Sequence, residues 1–179
     1  MDNFSTGIFI IPTIVLLLVV LLYFYFKSKV KHKKPYRRMV ITIAATAFFL
    51  NLIWEVVQGP LYEGFEYDLK HVSFCALASV ADMLMVLILL FGFNLIYRNV
   101  FWITYLSPKR VLILVVVGTV GAIIAEVWHT SQSDWAYADA MPIMPWLGVG
   151  LSPVLQFAVL PYLTFLIVNR FIKERDLEM

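Results

Sequence analysis

Three acids, Glu55, Asp82 and Glu126, stand inside long apolar runs in which no Lys or Arg can pair with them. Carboxyls that share an apolar site cannot all ionise, because burial and mutual repulsion both favour the neutral form. A neutral acid in an apolar pocket can protonate an alkene, epoxide or enol, and an ionised neighbour can act as base. On this reading Asp82 or Glu126 is the acid and Glu55 its partner and base. The substrate-binding set is Trp54, Gln58, His71, Trp128, His129, Trp135, Tyr137 and Gln156. Among these, Gln156 and Tyr137 would orient the substrate, while Trp54, Trp128 and Trp135 would wall it. Ring faces of this kind stabilise a developing cation. The plainer alternative is that the acids only hydrogen-bond helix to helix, as polar residues in membrane bundles do.

The spacing favours convergence. Asn51, Glu55 and Gln58 recur at i, i+4 and i+7, so a helix presents them on one face. His71, Cys75, Ser79 and Asp82 do the same on another run, which puts Asp82 about 16 Å below His71 and near mid-bilayer. An ionisable residue at that depth is costly and marks a functional interior by default. Gly118, Ala122, Ala125, Glu126 and His129 form a third stripe, of small and polar residues suited to close helix packing.

The elements that must position these residues are membrane helices. At 179 residues and 61% hydrophobic, the chain is too apolar for an ordinary soluble domain. Runs of roughly 20 apolar residues can cross a bilayer only as helices. The sequence predicts a single all-α membrane domain, 1–179, with spans over 7–26, 39–57, 71–96, 111–128 and 147–168. The first span reads as a retained, lipid-facing anchor ending in the aromatic belt Tyr23, Phe24, Tyr25 and Phe26. Pro161 is expected to kink the fifth. Residues 129–147, dense in Trp, Tyr, Met and Pro, are expected to fold back as a lid, with Trp135 and Tyr137 packed inward over Glu55 and Glu126.

Charge placement sets the orientation. Of the 14 Lys and Arg residues, all but Lys70 fall in the first connection, the third connection or the C-terminal tail. Five spans with the N-terminus outside and the C-terminus cytoplasmic satisfy that asymmetry. The acids and the lid then belong to the external side. The basic stretch 27–38 reads as a topogenic loop and not as a nucleic-acid site.

Other chemistries find little purchase. Glu126 and His129 form one Glu-x-x-His pair, whereas bundle-type carboxylate metal sites use that pair twice. A carboxylate/His metal site is therefore an alternative, and no metal ligand is assigned. There is no Gly-x-Ser-x-Gly elbow, Cys-x-x-Cys pair or phosphate-binding glycine loop. Cys75 is the sole cysteine, so no intrachain disulfide forms. No pattern names a cofactor.

Several motifs together resemble a family of small polytopic bacterial inner-membrane proteins of unassigned function. They are WEVVQGPLY at 54–62, His71 with Asp82, Glu126, WAY with MP within 135–142, and GVGLSPVLQ at 148–156. The resemblance covers about 51–161 and implies a multi-pass inner-membrane location without naming a reaction. An acid-lined pocket walled by aromatics is also similar in chemistry to integral-membrane terpene cyclases and sterol isomerases, an analogy that does not carry function. The expectation is an external-side pocket for a lipid or isoprenoid-like small molecule, with acid–base chemistry upon it. The rivals are a proton-coupled carrier, which needs polar residues toward the cytoplasmic side, and a non-catalytic subunit of a membrane complex.

Overall fold

Long apolar runs that cross hydrocarbon fold as helices because each then satisfies its own backbone hydrogen bonds. The computed structural model describes residues 10–132 and 135–176. Among them are five α-helices: α1 (Ile10–Lys29), α2 (Lys33–Gln58), α3 (Leu69–Tyr97), α4 (Pro108–Ser131) and α5 (Leu151–Asp176). All five are long and apolar enough to span a membrane. Residues 7–9 of the expected first span lie outside the described residues.

The helix ends differ from the sequence expectation in physically informative ways. α2 starts at Lys33, not at 39, so Lys33, Lys34, Arg37 and Arg38 ride on its first turns. The loop between α1 and α2 is only a few residues long, and Lys and Arg are good helix formers where their heads reach water. α5 starts at Leu151, not at 147, and continues past 168 to Asp176. Its delayed start follows from the left-handed backbone at Trp146 (φ 66°) and Gly148 (φ 67°), which no helix accommodates. α3 and α4 begin on side-chain caps: Asp68 accepts the His71 amide at 2.7 Å, and Ser107 accepts the Arg110 amide at 3.4 Å. That backbone hydrogen bond is the main cause of the depressed Asp68 carboxyl pKa.

α2 is central, packed on both α3 and α5, while α4 packs on α5 and α1 on α3. The main apolar core lies toward the basic end and includes Tyr36, Ile43, Leu90, Phe91, Trp102 and Phe165. Trp102 comes from the α3–α4 connection, which sequence reading treated only as a basic loop. It is 1% exposed and donates from its indole to the Leu90 carbonyl at 3.2 Å. Arg110 holds this inserted turn by donating to the carbonyls of Trp102 at 3.2 Å and Tyr105 at 2.9 Å.

At the opposite end the two loops pair with each other. Glu63 donates its amide to Ala136, and Ala138 to Leu61, both at 3.0 Å, around an isolated bridge between Tyr62 and Tyr137. A second bridge, Ile143 to Gly150, turns the later part of the same loop back upon itself. The α4–α5 loop is thereby fastened to the α2–α3 connection over the helix ends.

Candidate functional site

The polar face of α2 meets α3 and α5 through one amide. Gln156, 1% exposed, donates from Nε2 toward Asn51 Oδ1, Glu55 Oε1 and Asp82 Oδ2, each at 2.9 Å. Its own Oε1 accepts from Gln58 Nε2 at 3.0 Å, and Gln58 Nε2 also donates to Glu55 Oε1 at 2.8 Å. Ser152 donates to Gln58 Oε1 at 2.8 Å, and the Trp54 indole does so at 3.2 Å. An amide nitrogen has two hydrogens, yet three oxygens surround that of Gln156. The network is therefore at least one hydrogen short. A proton on Glu55 or Asp82, or a donor brought by a ligand, makes up the difference.

Glu126 stands apart on α4, buried to 7% exposure. Its Oε2 accepts from the Tyr137 hydroxyl and, at 3.4 Å, from the Trp135 indole. The Trp135 ring stacks on His129 at 4.4 Å and meets Tyr62 edge-on at 6.3 Å. Burial, then the negative charge of the neighbouring acids, pushes the Tyr62 phenol well above its ordinary range. Tyr137 is raised as well, by burial first and by its bond to Glu126 second. Both phenols are therefore neutral, and that of Tyr137 donates to Glu126.

A cavity of about 620 Å³ opens between these groups, with Glu55, Asp82 and Glu126 all on its wall. That volume falls within the range of about 300–1,000 Å³ typical of small-molecule sites. Gln58, His71, Trp135 and Gln156 also line it. Helix periodicity places Glu55 and Asp82 each on one face of its own helix, and the packing of α2 on α3 brings those faces together. Glu126 joins them because Gly118 lets α4 approach α5 closely: a Cβ there would lie 2.2 Å from the Phe157 carbonyl oxygen. Compared with known protein families, curated proteins and solved structures, the chain matches none.

Four residues of the expected binding set do not reach the cavity wall. Trp128 is 54% exposed, because two residues along α4 from Glu126 is a turn of about 200° to the opposite face. Trp54 stands behind Gln58, which it holds. Tyr137 and His129 act on the site through Glu126 and Trp135. Of the expected small-residue stripe, Gly118, Ala122 and Glu126 are buried while Ala125 is exposed. His71 reaches the wall with its ring nitrogen 2.8 Å from Asp68, outside the acid group. Among the described residues no three His, Cys, Asp or Glu side chains are grouped to hold a metal ion.

Sequence reasoning missed Tyr62, Phe65 and Phe74 as wall residues. A signal for Phe65 existed in Gly59, since a Cβ there would strike the Phe65 ring at 2.4 Å. Tyr62 carried none, because its place depends on pairing with a loop 75 residues away.

Proposed function

We propose that the chain is a bacterial inner-membrane protein that binds a lipid or isoprenoid-like molecule in this cavity and performs acid–base chemistry on it. The observation that carries the proposal is the meeting of three acids, from three different helices, on one cavity roofed by Trp135. Asp82 or Glu126 supplies the proton and Glu55 receives it. Gln156 fixes the α2 and α3 acids, and Tyr137 fixes Glu126. Membership in the small inner-membrane family that the motifs resemble belongs to the same proposal. Native mass spectrometry of the detergent-purified protein tests it. The wild type should retain a hydrophobic molecule, and Trp135→Ala should lose it with little change in unfolding temperature. A wild type that retains nothing, or a variant that retains as much, would sink the proposal.

In this reading the N-terminus is external and the C-terminus cytoplasmic, which puts the cavity on the external side. The basic residues of α1, α2, the α3–α4 connection and the first turn of α4 support it through the positive-inside rule. A C-terminal reporter that works only in the cytoplasm is the expected result; one that works only outside reverses the orientation.

A proton-coupled carrier is the second reading, favoured by one observation. Asn94, Thr164 and Asn169 are buried toward the basic end and keep side-chain polar atoms without a hydrogen-bond partner among the described residues. Such groups are costly unless water reaches them, and a relay from the acids would pass that way. Reconstituted vesicles holding a pH gradient test this: faster collapse of the gradient than in empty vesicles supports the carrier, and equal rates exclude it.

A further inference from the structure

The basic side chain on the cavity wall, His71, is already held by Asp68. Glu63 joins Glu55, Asp82 and Glu126 there, and among the described residues no Lys or Arg lines the space. The hydrogen-bond count leaves a place for a ligand's donor as well as for a carboxyl proton, because the oxygens of Asn51, Glu55 and Asp82 share a nitrogen with too few hydrogens. Glu126 is on the same wall, its Oε2 accepting from Tyr137 and Trp135. The surroundings are aromatic: Tyr62, Phe65, Phe74, Trp135 and Phe157 all face the space. Rings of this kind attract a cation most strongly once it has shed its water.

We propose that the molecule bound in this cavity carries a positive charge, as an amphiphile with an ammonium head. The head sits between Glu126 and the Glu55–Asp82 pair, and the apolar tail lies along Phe74 and Phe157. A primary or secondary ammonium donates its N–H groups to the oxygens short of hydrogens, while a quaternary one is held by charge and ring faces alone. The inference rests on reading the cavity as a ligand site, and it narrows that reading to one charge class. The same arrangement suits a substrate that becomes cationic on protonation.

The test compares three probes with the same twelve-carbon chain: dodecyltrimethylammonium, dodecanol and dodecyl sulfate. Each is titrated below its micellar concentration into the full-length protein in an uncharged detergent, and the quenching of tryptophan fluorescence is followed. The ammonium probe should bind at least about tenfold more tightly than the alcohol, a difference of about 1.4 kcal/mol, and the sulfate should not compete. Glu126→Gln should erase most of that preference. Dodecanol binding as tightly as the ammonium probe overturns the charge assignment and leaves the cavity reading standing. No saturable binding by any probe overturns both. The comparison among probes needs only the wild type, so a variant that fails to fold does not blunt it.

Discussion

Gln156→Leu should destabilise the protein by about 3 kcal/mol or more, even though leucine fits a membrane helix better than glutamine does. The substitution removes the one amide that touches Asn51, Glu55 and Asp82 together, each at 2.9 Å, and that accepts from Gln58 at 3.0 Å. Each buried polar group left without a partner costs about 1–3 kcal/mol, more when it is charged. Leucine gains some apolar burial, on the order of 1.5–3 kcal/mol at most for a complete side chain, and that gain does not cover several orphaned groups. Uncoupling α5 from α2 and α3 also removes the shared anchor of two acids. Thermal unfolding in detergent, followed by tryptophan fluorescence, should show a markedly lower midpoint. Gln156→Glu replaces a donor by an acid and should be no milder. A leucine variant as stable as the wild type would mean that the α2–α3–α5 polar network does not hold the bundle together.

How far the sequence could be read depended on whether a feature is local. Helix identity is local, because an apolar run of this length has one viable backbone in lipid. The convergence of Asn51, Glu55 and Gln58 was legible for the same reason, since period 3.6 fixes a face before any neighbour is known. Glu126 was recognisable as a costly buried acid. Its companions were harder, because Tyr62 reaches the site only through backbone pairing between two loops distant in sequence. Trp102 shows the limit from the other side: it sits in a connection by every local sign, yet packs against Phe93, Tyr97 and Phe165 in the core. Trp146 reverses the lesson, for it belongs to the aromatic-rich lid segment and is 100% exposed. Aromatic content alone does not tell an inward ring from an interfacial one; what separates Trp135 from Trp146 is a buried acceptor, Glu126, within reach of its indole.

Gly118→Val should separate α4 from α5 and, through them, open the site. Pro161 has no N–H, so the Phe157 carbonyl one turn earlier on α5 lacks its intrahelical donor. That carbonyl lies against Gly118, where a Cβ would come within 2.2 Å of the oxygen. The obstacle is backbone, which cannot swing aside as a side-chain tip would, so the helices themselves must shift. Overpacking of this kind costs about 1–3 kcal/mol. The consequence reaches the chemistry because Glu126 lies on α4, about 12 Å further along by helix rise, while Pro153, Gln156 and Phe157 supply the α5 wall. Gly121 provides the control within the same helix. It is exposed, and a Cβ there meets nothing within 4 Å. Gly121→Ala should therefore be neutral, or stabilising by up to about 1 kcal/mol through the better helix propensity of alanine. Measured side by side, Gly118→Val should lower the unfolding midpoint and lose the retained molecule, while Gly121→Ala keeps both. Equal behaviour of the two variants would show that close α4–α5 contact at Gly118 does not set the position of Glu126.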